Sequence, residues 1–185
     1  MARHDKRFRS LFGIAGGAAW LLLSGRAHAY EEQASLDTAL GYALVVDDDV
    51  TAQGASAELG ASVGLSDTYV ARATLGYAGL RESTDAGPAV QHLGRLRVEA
   101  LYLLDVLKVV PFFGLGASLT NNPHDSGPLL PVRIGGQLVF GFDYLVSRSW
   151  TLGLDVRAAL LFEGNGQLLN TTDVALRVSR MFETF

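Results

Sequence analysis

Eight short segments of this chain alternate apolar residues with small, polar or charged ones at a period of two. In Leu93–Leu104, the residues Leu96, Val98, Ala100, Tyr102 and Leu104 point one way, while Arg95, Arg97 and Glu99 point the other. A strand of this kind in a soluble protein lays its apolar side on a core and turns its charges to water. Here almost every segment carries an apolar face, and nothing after residue 29 reads as a helix that would cover it. A closed sheet resolves this, with the apolar face toward lipid and the polar face inside. The expected fold is all-β, an eight-stranded antiparallel transmembrane up-and-down β-barrel.

The barrel sequence follows an export signal. Arg3, Lys6, Arg7 and Arg9 precede the apolar stretch Leu11–Leu23, which is too short and Gly-rich to make a good spanning helix. Ala27-His28-Ala29 has the A-x-A form of a cleavage site. Residues 1–29 are read as a cleaved signal peptide and 30–185 as one barrel domain. Five of the 15 Lys/Arg and one of the 19 acids lie in the signal, leaving ten against eighteen, a net −8. Such an acidic chain is not expected to bind nucleic acid, which needs a basic surface. With no cysteine, thiol catalysis and Cys-based metal sites are excluded.

The predicted strands are Ala34–Val45, Gly54–Leu65, Thr68–Leu80, Leu93–Leu104, Val109–Leu119, Val132–Leu145, Trp150–Leu160 and Thr172–Phe182. Short turns fall at Ser66-Asp67, Asp105–Lys108 and Val146–Ser149. Longer connections fall at Val46–Gln53, Arg81–His92, Thr120–Pro131 and Leu161–Thr171. Outer-membrane barrels pair short periplasmic turns with longer external loops, so both termini are expected in the periplasm.

The outward parity is apolar throughout, for example Leu36, Leu40, Leu59, Leu75, Leu115, Leu138, Phe140, Leu152 and Leu176. Arg180 shares it but lies near a strand end, where its stem can snorkel to the interface. Tyr69, Tyr102, Tyr144, Trp150 and Phe182 all fall at strand ends near the short turns or the C-terminus. They are read as an interfacial aromatic belt.

The inward parity carries Asp37, Glu58, Arg72, Arg95, Arg97, Glu99, Arg133, Asp143, Asp155, Arg157 and Arg177. Eight strands enclose a space only wide enough for side chains. Near charge balance is what a packed polar interior requires. The expected lumen network is Glu58, Arg72, Arg95, Arg97, Glu99, Arg133, Asp155, Arg157 and Arg177. Asp155 is expected to pair with Arg177, Glu58 with Arg72, and Glu99 to sit between Arg97 and a neighbour. Small inward residues Gly114, Gly116 and Ser118 are expected to leave room for Arg side chains opposite.

Other constellations carry less. His124-Asp125-Ser126 sets a base, an acid and a hydroxyl in one loop, but sequence neighbours rarely form a catalytic triad. Asp47-Asp48-Asp49 is a weak candidate for Ca²⁺ or Mg²⁺; it lacks the spacing of an EF-hand loop, and a solvated hairpin tip is the plainer reading. No cofactor and no resident metal are expected.

Val109-Val110-Pro111-Phe112-Phe113-Gly114-Leu115-Gly116 and Ser147–Asp155 resemble a strand and a following turn-strand of the small eight-stranded outer-membrane barrels of the OmpA/OmpX type. The terminal Phe185 resembles the C-terminal Phe that helps the assembly machinery recognise the last strand in that superfamily, although with Phe182 outward it falls at the opposite parity. The resemblance implies an outer-membrane protein that contacts lipids and lipopolysaccharide, meets the assembly machinery during biogenesis and is monomeric.

The expected function is non-enzymatic: a structural or surface-interaction role played through four external loops on a rigid barrel. Those loops are read to hold Asp47, Asp48, Asp49, Glu82, Asp85, Asp125 and Glu163, with Arg81 the only cation. The alternatives are a narrow ion or small-solute pore and, behind it, a lipid-modifying barrel enzyme using His124 and Ser126.

Overall fold

A computed structural model describes residues 33–47, 50–84, 87–104, 108–121, 132–162 and 168–183. They form eight strands: β1 Gln33–Asp47, β2 Val50–Gly64, β3 Tyr69–Thr84, β4 Gly87–Leu103, β5 Val109–Asn121, β6 Val132–Leu145, β7 Trp150–Phe162 and β8 Leu168–Glu183. Each pairs antiparallel with the next, and β8 pairs with β1, so the sheet closes on itself. Closure leaves no strand edge unpaired.

The parity read from the sequence is the parity of the wall. Leu36, Leu40, Leu59, Leu75, Leu115, Phe140 and Leu176 are exposed on the outside, while Asp37, Glu58, Arg72, Arg97, Glu99, Asp155 and Arg177 are buried inside. This inverts a soluble barrel. The backbone ladder satisfies every strand whichever solvent lies outside, so the side chains alone decide it, and these favour hydrocarbon.

Two turns share one construction. In both, two successive amides donate to the carbonyl that reopens the ladder: Leu65 and Ser66 to Tyr69, and Val146 and Ser147 to Trp150. Ser66 Oγ also accepts from the Tyr69 amide at 3.1 Å, and Ser147 Oγ from the Ser149 amide at 3.3 Å.

The strands run further than predicted at the opposite end. Val46 pairs with Thr51 and Asp47 with Val50, and the β3–β4 ladder continues through Ser83↔Pro88 to Thr84↔Gly87. The stretches 46–53 and 81–92 are therefore mostly paired strand, and two of the four expected loops reduce to short connections. The physical reason is that, beyond the lipid, outward positions no longer need apolar side chains. Thr51, Gln53 and Arg81 lie exposed on the outer wall while the ladder runs on beneath them. Glu82 is corrected with them. It is buried in β3, at 8% exposure, and accepts a hydrogen bond from Gln91 Nε2, so it does not belong to a loop.

The signal segment, Asp48, Asp49, Asp85, His124, Asp125, Ser126, Glu163 and Phe185 lie outside the described residues. β8 ends at Glu183, one residue past the outward-facing Phe182.

Candidate functional site

Inward parity on seven strands delivers one connected ionic network to the middle of the lumen. Arg177 Nη2 donates to Asp143 at 2.7 Å, its Nε lies 3.2 Å from Asp155, and its Nη1 lies 3.8 Å from Asp37. Asp155 also takes Arg157 at 2.7 Å and Arg72 at 3.3 Å. Glu99 sits between Arg72, at 2.6 Å, and Arg157, at 2.7 Å, and takes Gln137 at 2.8 Å. Arg157 goes on to Glu58 at 3.1 Å, and Glu58 meets Arg97. Arg97 reaches Asp173 at 2.6 Å, and Asp173 holds Arg95 at 2.5 Å. The links therefore run unbroken from Asp37 to Arg95.

Of the expected pairs, Asp155 and Arg177 meet, on adjacent strands. Glu58 and Arg72 do not. In register Glu58 faces Gly76, whereas Arg72 faces Glu99 across the β3–β4 ladder. Four residues separate Arg72 from Gly76, about 13 Å along a strand. Glu99 accordingly pairs with Arg72 and Arg157, and Arg97 crosses the lumen to β2 and β8. Arg133 is buried where β5 and β6 pair, opposite Thr120.

Two contributors escaped the sequence reading. Asp173 shares Arg177's parity and lay inside a predicted strand, so its signal was present. Phe112 is a buried aromatic among the ions, with the Arg72 and Arg177 guanidinium carbons 5.4 and 5.6 Å from its ring centroid. Cation–π attraction suits this placement. Its parity, opposite to Phe113, was the available clue.

Gly114 and Gly116 make room, and the atoms nearest to them are not those of arginines. A Cβ on Gly116 would stand 2.5 Å from the Val98 carbonyl, 3.0 Å from Gln137 Nε2 and 3.1 Å from Glu99 Cγ. Gly114 would press on Leu101 and the Ala100 carbonyl. Gly153 clears space for an ion pair: its Cβ would lie 2.3 Å from Asp143 Oδ1 and 3.1 Å from Arg177 Nη2.

The network lies between two apolar regions. Toward the far end, Ala43, Val45, Ala52, Ala78, Leu80, Leu93, Ala159, Leu161 and Leu169 form one buried cluster drawn from six strands. Toward the end carrying the short turns, Leu101, Leu103, Val110, Phe112 and Val139 form a second, with Val70 and Leu145 packed against it.

On the outer wall, Tyr69 and Tyr102 meet edge-on at 5.2 Å, and Tyr102 leans on Phe113 at 5.3 Å. Tyr144, Trp150 and Phe182 are exposed at the same end. Arg180 lies over the rings of Trp150 and Phe182 at 5.8 and 5.2 Å. Near the other end, Tyr77 shares a hydrogen bond with His92 Nδ1, the rings stacked at 5.8 Å.

No protein-family model matches the chain, and no curated protein sequence matches it. Solved structures do match in fold. Neisserial surface protein A superposes with a TM-score of 0.64 at 19% identity, over 80% of this chain and 97% of that one. The outer membrane protein OprG of Pseudomonas aeruginosa gives 0.55 at 12%, over 86% and 99%. The N-terminal β-barrel domain of OprF from the same organism gives 0.53 at 13%, over 82% and 98%. The architecture is that of the small eight-stranded outer-membrane barrels.

Proposed function

We propose that this chain is an integral outer-membrane protein, inserted as a monomer with both termini in the periplasm, and that it acts as a rigid, non-enzymatic anchor. Its role is structural or one of surface interaction, exerted by the end of the barrel remote from the short turns. One observation carries this reading: the outer wall between its ends is apolar, while the charges of the lumen join in one ion-paired network. An interior so linked favours rigidity over transport, because Arg157 and Arg177 each take acids from three strands. Lipid and lipopolysaccharide are the partners the wall suits, with the assembly machinery engaged during insertion.

The pore alternative has less support, since an ion would have to break paired charges and cross the apolar cluster around Leu80 and Leu161. The enzyme alternative rests on His124 and Ser126, outside the described residues.

The test is cell fractionation followed by a detergent gel of boiled and unboiled outer membranes. A heat-shifted band at the mass of residues 30–185 supports the proposal. A soluble protein with no shift would overturn it. Steady conductance in liposomes, lost on Asp155→Ala or Arg177→Ala, would replace the anchor with a pore.

A further inference from the structure

On the outer wall a groove of about 850 Å³ spans β1 to β3, lined by Leu40, Ala57, Leu59, Leu75 and Tyr77, with Leu176 of β8 at its side. Register makes it deep. Ala57 faces Leu40 on one strand and Tyr77 on the other, so a methyl group lies between two large side chains. Tyr77 shares a hydrogen bond with His92 Nδ1, which fixes its ring as one wall. Beyond Tyr77 the floor stays low: Ala55 faces Gly79, and nothing lies within 4 Å of a Cβ built on Gly79. The next outward pair along these strands is Gln53 and Arg81, both exposed.

The length of the groove matches one leaflet. Six residues separate Arg81 from Leu75, and six more separate Leu75 from Tyr69 of the aromatic belt. Six residues extend about 20 Å along a strand. At a strand tilt of about 40° they rise about 15 Å, half of a hydrocarbon core about 30 Å thick. Leu75 therefore stands near the midplane, and Arg81 at the headgroups of the leaflet remote from the short turns. Charge then selects the headgroup. Within the strands every Asp and Glu has inward parity, and Arg81 and Arg180 are the outward-facing cations. Arg180 lies over the rings of Trp150 and Phe182 at the opposite end. Arg81 forms no ion pair with another described residue. A headgroup ammonium would meet no strand acid on this wall, whereas a phosphate meets a guanidinium whose parallel N–H groups suit it.

We propose that this groove holds one anionic lipid, with its phosphate on Arg81 beside the Gln53 amide and one acyl chain running over Ala55 and Ala57 toward Leu59 and Leu75. The site rests on the lipid-facing reading of the wall and adds to it a fixed position and a headgroup charge.

The experiment is native mass spectrometry of the barrel released from vesicles of equimolar phosphatidylglycerol and phosphatidylcholine. Both lipids carry a phosphate, but only the first is anionic. One retained phosphatidylglycerol per barrel is expected, in about fivefold preference over phosphatidylcholine, the ratio that one basic side chain at an anionic headgroup gives. Arg81→Gln is expected to abolish the preference, Arg81→Lys to keep it, and Arg180→Gln to leave it unchanged. Ala57→Leu fills the groove without touching a charge and is expected to abolish retention. Equal retention of the two lipids, a preference that survives Arg81→Gln or is lost with Arg180→Gln, or undiminished retention by Ala57→Leu would each overturn the proposal. An intact heat-shifted barrel without lipid selection discards the groove alone; loss of the heat shift in the unaltered chain discards the barrel reading itself.

Discussion

Arg95 on β4 and Asp173 on β8 meet across the lumen at 2.5 Å, although 78 residues separate them in the chain. Asp173 also holds Arg97 at 2.6 Å, so one carboxylate serves two buried guanidinium groups. Replacing Asp173 by Ala leaves Arg95 without the acid that holds it and Arg97 with Glu58 alone. Breaking a buried pair by removing one partner costs about 3–5 kcal/mol. The expected result is a clear fall in the urea midpoint of the refolded barrel, followed by the gel shift or by tryptophan emission. An unchanged midpoint would mean that water already shares these charges.

Leu40 and Leu176 face each other across the β1–β8 ladder, and both stand on the outer wall at 71% and 62% exposure. Leu176→Arg should cost about 2–4 kcal/mol if the position lies at the lipid midplane. Folding yield into liposomes should drop accordingly. A harmless Arg at this site would contradict the lipid-facing wall.

Gly116 has no room for a side chain between the Val98 carbonyl, Gln137 and Glu99. Gly116→Val is expected to destabilise by about 1–3 kcal/mol through overpacking, and to lower the temperature at which the compact gel band disappears. Gly136, around whose Cβ position nothing lies within 4 Å, is the control, with Gly136→Ala leaving that temperature nearly unchanged.

Trp150 is the only tryptophan in residues 30–185, so its emission reports the interface directly. Arg180 stacks over its ring, a contact worth about 0.5–1 kcal/mol at an exposed site. Arg180→Ala should leave the barrel folded, shift the emission and make Trp150 more accessible to aqueous quenchers. No spectral change would separate Arg180 from the belt.

Much of this architecture was legible because a barrel wall imposes the simplest of patterns. Leu96, Val98 and Ala100 had to face out if Arg95, Arg97 and Glu99 faced in. Strand length was harder. Once the wall leaves the lipid, the pattern that marks a strand disappears while the hydrogen bonds persist, so Thr51, Gln53 and Arg81 read as loop. Pairing inside the lumen was harder still. Adjacent strands suggest neighbours such as Glu58 and Arg72, but register moves those two apart, and arginine is long enough to skip a strand. Arg157 thus meets Glu58 across 99 residues of chain. Nothing in a linear pattern states which side of a small tube a guanidinium will reach.

The ladder between β1 and β8 runs from Gln33↔Glu183 to Asp47↔Leu169, so the first strand described is fastened to the last. A tube sealed along that line cannot be assembled progressively from one end of the polypeptide. Until β8 arrives, β1 and β7 each offer a bare row of amides and carbonyls that hydrocarbon cannot satisfy. Folding of this kind rests on contacts distant in sequence and is expected to be slow. A copy cut short before β8 would be stranded rather than merely weakened, with its first strand open to whatever chain came next.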